Sequence, residues 1–127
     1  MVQQSMIPVI HPKYYYSYEL TVDPTNIAGN EASLAITMPV GVIRHVSIIF
    51  PPGCVRNILT RVVHGSSNFI PNQGGVWIGE DNYHLELDVF EQVFEGDETI
   101  TLLGYTLGND YAHKLTYHFL VEHSETL

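Results

Sequence analysis

Basic residues and cysteine are the scarce components of this 127-residue chain. Five Lys and Arg stand against fourteen Asp and Glu, for a net charge of -9 with histidine neutral. Binding DNA, RNA or an anionic membrane takes several cations to displace phosphate counterions, so the composition argues against all three as partners. The single cysteine, Cys54, excludes an internal disulfide and a multi-cysteine zinc site, and cytoplasmic synthesis is the expectation. No apolar run approaches the roughly 20 residues of a membrane-spanning helix, and Met1 to Lys13 lacks the charged-then-apolar order of a secretory signal. A soluble, unprocessed protein is therefore expected. No segment keeps the 3.6 period of a helix over three turns, and no internal repeat stands out. Catalytic signatures are missing as well. No serine sits in a Gly-x-Ser-x-Gly elbow, and Gly74-Gly75 runs into Val76-Trp77 where a phosphate loop needs a lysine and a helix start.

What the chain does have is apolar residues, 45% of the total against 15% charged, enough for one globular domain with its own core. Tyr14 to Val22 is almost entirely aromatic or β-branched and stops at the turn pair Asp23-Pro24, which predicts a strand. Ser33 to Met38 and Val42 to Phe50 predict two more, the latter ended by Pro51-Pro52-Gly53. Ile58 to Val63 gives a fourth, and His64 to Asn68 reads as a loop by composition. Phe69 to Gly79 reads as a Gly- and Pro-rich loop with one short strand at Val76 to Ile78. Tyr83 to Phe90 alternates strictly, placing Leu85, Leu87 and Val89 on one face and His84, Glu86 and Asp88 on the other. That alternation favours a strand over the helix that propensity allows at Asn82 to Glu95. Thr99 to Leu107 and Lys114 to Val121 complete the set. About eight strands at ten-residue spacing predict an all-β fold: a single antiparallel, jelly-roll-like β-sandwich over 14–127 with almost no helix. Residues 1–13 read as a flexible N-terminal arm.

Charge divides along the chain, close to neutral up to Gly79 and strongly acidic from Glu80 onward, where Lys114 is the lone Lys or Arg. The plain reading is solubility; the sharper one is an acidic patch that docks on a basic partner or on a less acidic face of a second copy.

Several side chains are candidates for chemistry. Cys54 follows Pro-Pro-Gly at a strand entrance, but a lone cysteine is more often a small buried hydrophobe than a nucleophile. His84, Glu86 and Asp88 share one strand face and are weak candidates for metal ligands; any solvated sheet face alternates in the same way, and no His-x-His pair of the cupin kind exists. His113 and His118, five apart, fall on opposite faces of a continuous strand. No catalytic residue, metal or cofactor is assigned. Tyr14, Tyr15, Tyr16 and Tyr18 put rings on both faces of one strand, and Phe69 and Trp77 lie in the Gly-rich region. These six are the candidate interface residues, because rings of this kind dominate interface cores. The alternative is that Trp77 and exposed tyrosines stack on sugars.

The segments Phe50-Pro51-Pro52-Gly53-Cys54, Arg61-Val62-Val63-His64-Gly65, Phe69-Ile70-Pro71-Asn72 and Gly74-Gly75-Val76-Trp77-Ile78, with Gly104-Tyr105, Asn109-Asp110 and His113, resemble the small all-β virion structural proteins of tailed bacteriophages. The resemblance spans Tyr14 to Val121. It implies a non-enzymatic, capsid-decorating or auxiliary protein of the virion, made in the host cytoplasm. The implied partners are its own copies, a trimer favoured, and a capsid or other virion protein. That group has no active-site motif to carry over. Two other functions remain open at this point: a carbohydrate-binding or receptor-binding sandwich, and a metal-dependent cupin-like enzyme at His84, Glu86 and Asp88.

Overall fold

The computed structural model describes residues 12–94 and 98–123. The expected arm therefore falls almost wholly outside the described residues, and Lys13 already belongs to the first strand. Nine strands follow in chain order: β1 Lys13–Val22, β2 Ala32–Thr37, β3 Gly41–Phe50, β4 Ile58–His64, β5 Ser67–Ile70, β6 Ile78–Gly79, β7 Tyr83–Val93, β8 Thr99–Thr106 and β9 His113–His123. Among the described residues there is no helix.

The ninth strand arises where composition suggested a loop. Gly65-Ser66 forms the two-residue turn of a β4–β5 hairpin with His64 opposite Ser67, and Gly65 alone of the pair has positive φ, as a type II′ turn requires. The strict alternation of Tyr83 to Phe90 does produce a strand, and it continues to Val93.

The strands form two antiparallel sheets packed as a sandwich. The first, sheet A, has the order β1-β9-β3-β7; the second, sheet B, has β2-β8-β4-β5, with β6 pairing β4 beside β5. Pairing is nested: β1 with β9, β2 with β8, β3 with β7 and β4 with β5. The edges of sheet A are thus β1 and β7. Register places Val22 opposite His113, Phe50 opposite Tyr83 and Ile58 opposite Thr106. The loops 23–31, 51–57, 80–82 and 107–112 consequently gather at one end, and Lys13, Gly41, Val93 and His123 at the other.

Alternate residues of each strand point between the sheets. Val22, Ile43, Val46, Ile48, Leu115, Tyr117, Phe119 and Val121 from sheet A meet Ile36, Ile58, Val62, Ile100 and Leu102 from sheet B, all buried. Each such side chain contributes about 1.5–3 kcal/mol on leaving water, which is the main force holding the layers. One polar link crosses the core. Thr60 hydrogen-bonds the Leu103 carbonyl at 2.7 Å and the Tyr117 hydroxyl at 2.6 Å, so both buried hydroxyls are satisfied. Burial pushes the Tyr117 phenol well above its ordinary pKa, partly offset by the Thr60 bond, and keeps it protonated. The sheets come close at Gly104, where a Cβ would lie 2.8 Å from Val22 Cγ2 and 3.2 Å from Leu20 Cδ2.

Candidate functional site

Strand β1 brings the tyrosines to one edge. Tyr14 and Tyr15 are 52% and 68% exposed, while Tyr16 and Tyr18 are half-buried. Tyr16 hydrogen-bonds His123 Nε2 at 2.7 Å, Tyr14 meets the same imidazole edge-on at 4.8 Å, and Tyr18 packs edge-on against Phe119. Burial, and then the neighbouring Tyr16, raises the Tyr18 phenol's pKa. The inner-side rings therefore close the β1 edge of the sandwich, and Tyr15 faces outward.

Phe69 is buried in the core at 6% exposure, where it lines a groove described below. Trp77 is half-buried, with Tyr105 edge-on at 4.7 Å and the Arg61 guanidinium 4.6 Å from its ring centre. Both of these contacts come from within the molecule.

His84, Glu86 and Asp88 stand on the outer side of β7, all exposed, but the two carboxylates do not converge on His84. They converge on His45 of β3, which the β3–β7 register sets opposite Asp88. His45 Nε2 lies 2.6 Å from Glu86 and Nδ1 lies 2.8 Å from Asp88. The Ser47 hydroxyl donates to the same Glu86 oxygen. Ionised carboxylates only accept hydrogen bonds, so His45 can bond both at once only with a proton on each nitrogen, as an imidazolium clamped between two anions. Its pKa is raised, first by the bond to Glu86 and then by that to Asp88, against a smaller opposing effect of burial. Glu86 moves the other way: its bonds to His45 and Ser47 lower its pKa.

A second clamp of the same form stands at the end of β4. His64 Nδ1 lies 2.6 Å from Glu91 of β7, and Nε2 lies 2.8 Å from Glu98, the residue before β8. This clamp ties the edge of sheet A to sheet B. Burial is the largest single influence on His64 and lowers its pKa, but the bonds to Glu91 and Glu98 and their charges together outweigh it, and the net direction is upward. His64 and its partners line an open cleft of about 500 Å³ with Gly65, Ser66, Ser67 and Thr99.

Between these clamps the sandwich is incompletely closed. A groove of about 310 Å³ runs under β7, lined by Phe69, Ile70, Ile78, Leu85, Leu87 and Val89 among others. Leu85, Leu87 and Val89 are the inward set expected from alternation, yet each is only half-buried. At the terminal end of the same edge Phe90 and Phe94 are 65% and 70% exposed. Arg44, the extra residue of β3 against β9, lies 4.8 Å from the Phe90 ring centre and 3.1 Å from Glu122.

Neither His45 nor His64 was a candidate from sequence: His45 falls in a strand legible there, whereas His64 read as the start of a loop and is the last residue of β4. The available signal was weak: a histidine in a β run of an acid-rich chain, whose carboxylate partners lie 27 to 43 residues away. Among the described residues, several of the acids from Glu80 onward are paired within the molecule. Glu86, Asp88, Glu91 and Glu98 are bound to histidines, and Glu122 to Arg44 and Lys13.

The remaining candidates sit elsewhere. His118 faces outward and bonds Ser17 at 2.6 Å, while His113 is buried on the opposite face under Tyr111. Cys54 is buried, and burial followed by the nearby Asp81 pushes its thiol up to about 11. A thiol held protonated at neutral pH is a poor nucleophile. Among the described residues no group of three or more His, Cys, Asp and Glu side chains is arranged to hold a metal ion. No described helix is long and apolar enough to cross a membrane. No protein-family model matches the chain, and no curated protein matches it.

Proposed function

We propose that this chain is a non-enzymatic structural protein of a virion, which decorates or stabilises a phage capsid as a homo-oligomer, with a trimer favoured. The observation that carries the proposal is the set of large rings left exposed at both edges of one sheet: Tyr14 and Tyr15 on β1, and Phe90 with the adjacent Phe94 on the β7 side. Aromatic side chains are the usual anchors of protein interfaces, and their exposure in water carries a cost that contact with another subunit removes. Because the two aromatic edges lie on opposite sides of sheet A, joining one to the other between copies is heterologous, and a heterologous contact that closes gives a ring.

The nested strand pairing supports a jelly-roll path for the sandwich, an architecture shared by viral capsid domains, lectins and cupins. Within that set the site chemistry favours assembly. Trp77 is already packed by Tyr105 and Arg61, which weakens sugar stacking, and Glu86 and Asp88 are bound to His45, which weakens a metal centre.

Light scattering on the purified protein, alone and with phage capsids, tests the proposal. The expected result is a closed oligomer that binds capsids stoichiometrically, and loss of both properties in a Phe90→Ser/Phe94→Ser variant that stays folded. A monomer at all concentrations that binds no virion component overturns it, and saturable quenching of Trp77 by a glycan instead selects the carbohydrate-binding function.

A further inference from the structure

The two imidazolium clamps share a feature that neither has alone: both fasten β7. His45 grips Glu86 and Asp88 on its outer side, and His64 grips Glu91 and joins it to Glu98 of the other sheet. Beneath the strand, Leu85, Leu87 and Val89 cover the apolar groove only in part. We propose that β7 is a proton-held edge: two protonated histidines pin the strand over the groove, and their deprotonation loosens it and opens the groove to solvent.

The geometry dictates the sense of the change. A neutral imidazole has one N–H and one lone pair. Held between two carboxylates less than 3 Å away, it keeps one hydrogen bond and turns its lone pair on the other anion. Each clamp then loses a bond and its positive charge together. On β7 itself, Glu86, Asp88 and Glu91 are left without those cations. Among the described residues around His45, the other charged groups do not replace its charge. Arg44, beside His45 on β3, is engaged with Glu122 and Phe90. From β9, His45 is flanked by Leu120, which does not titrate, and His118 lies opposite Ser47 and bonds Ser17. His84 lies near Glu86 on β7 itself and adds a weak favourable charge to it. Around His64, the other residues lining the cleft, Gly65, Ser66, Ser67 and Thr99, are uncharged.

What remains to hold β7 is its ladder with β3, which runs from Gly41 opposite Val93 to Phe50 opposite Tyr83 and is interrupted between Ile43 and His45, where β7 carries one residue more than β3. An edge strand has a ladder on one side only, so its amides open more readily than those of an interior strand once side-chain ties are gone. The cleft at His64 gives solvent a direct route to that proton.

Hydrogen exchange followed by mass spectrometry or NMR tests this on the whole chain. Protection of β7 amides, corrected for the intrinsic pH dependence of exchange, is expected to fall several-fold between pH about 5.5 and pH about 9, on either side of the ordinary histidine value of ~6.5. Protection in β1 and β9 is expected to stay level, and binding of an apolar dye to rise in parallel with the loss in β7. The His45→Gln/His64→Gln variant should show low β7 protection at both pH values. Should that variant fail to fold, Asp88→Asn and Glu91→Gln, each keeping the shape of its clamp, should each reduce the pH dependence. A β7 protection that is level across this range in the native chain overturns the proposal, as does a pH dependence that persists unchanged when the clamps are removed. Imidazole ¹⁵N shifts showing His45 and His64 neutral at pH 6 overturn it too.

Discussion

Strands β1 and β7 are the two edges of the same sheet, and they are finished by different physics. The β1 edge is closed by rings: Tyr14, Tyr16 and Tyr18 cover the inner side with His123 and Phe119, and Leu20 and Val22 pack down to Gly104 with no space for a methyl group. The β7 edge is closed by charge. Its inward leucines stop short of sealing the groove, and two imidazolium clamps hold it instead. Apolar packing is indifferent to pH, whereas a clamp that depends on two protons per imidazole is not. One edge is therefore stable by shape, and the other is conditional.

The largest expected difference between the edges is in tolerance to added volume. Gly104→Ala forces a methyl group into Val22 and Leu20, and should cost about 1–3 kcal/mol in urea denaturation. Val89→Leu adds comparable bulk above the groove and should stay within about 0.5 kcal/mol, because the space is there. Equal costs at the two positions would mean that the groove closes in solution.

Next in size is the pH dependence of the clamp between the sheets. His64 has a raised pKa in the fold, so protons bind the native state more tightly than the unfolded chain. Its stabilisation is full below the ordinary value of ~6.5 and is lost as pH rises through the raised native value. Glu86 acts with the opposite sign, contributing above the ordinary carboxylate range and losing that contribution as pH falls through its lowered native pKa. His64→Gln should cost about 1–3 kcal/mol near pH 5.5, since its side chain is 13% exposed and both partners are sheltered. Near pH 9 the variant and the native chain should converge.

His45→Gln should cost less, under about 1 kcal/mol at the lower pH, because Asp88 is 97% exposed and water screens that half of the clamp. Raising salt should shrink this effect more than that of His64.

The smallest change in stability is expected at the aromatic edge. Tyr15→Ser should alter stability by no more than about 0.5 kcal/mol, as the ring is 68% exposed, while lowering the oligomeric mass read by light scattering. Unchanged mass would shift the association contact away from β1.

Much of the fold was legible because a strand declares itself locally. The alternation of Tyr83 to Phe90 named its inward and outward residues correctly, and Pro51-Pro52-Gly53 marked a real strand end. The β4–β5 hairpin escaped because Gly65-Ser66 has loop composition; the turn type it encodes was the usable signal. The candidate site was less legible. Glu86 and Asp88 stood out, but their partner did not, since His45 is distant in sequence and meets them only through the β3–β7 register. The groove was invisible for a related reason: alternation says which way Leu85, Leu87 and Val89 point, but not whether another layer covers them.

The sequence by itself determined the all-β class, most of the strand ends and the two-faced character of the strands, because these follow from side-chain period and backbone chemistry within ten residues. Only the tertiary structure decided which strands became edges, which carboxylates met which histidines, and that Trp77 was contacted from within while Tyr15 and Phe90 stayed open to solvent. Those outcomes depend on register and layer packing between residues far apart in the chain, and no local pattern contains that information.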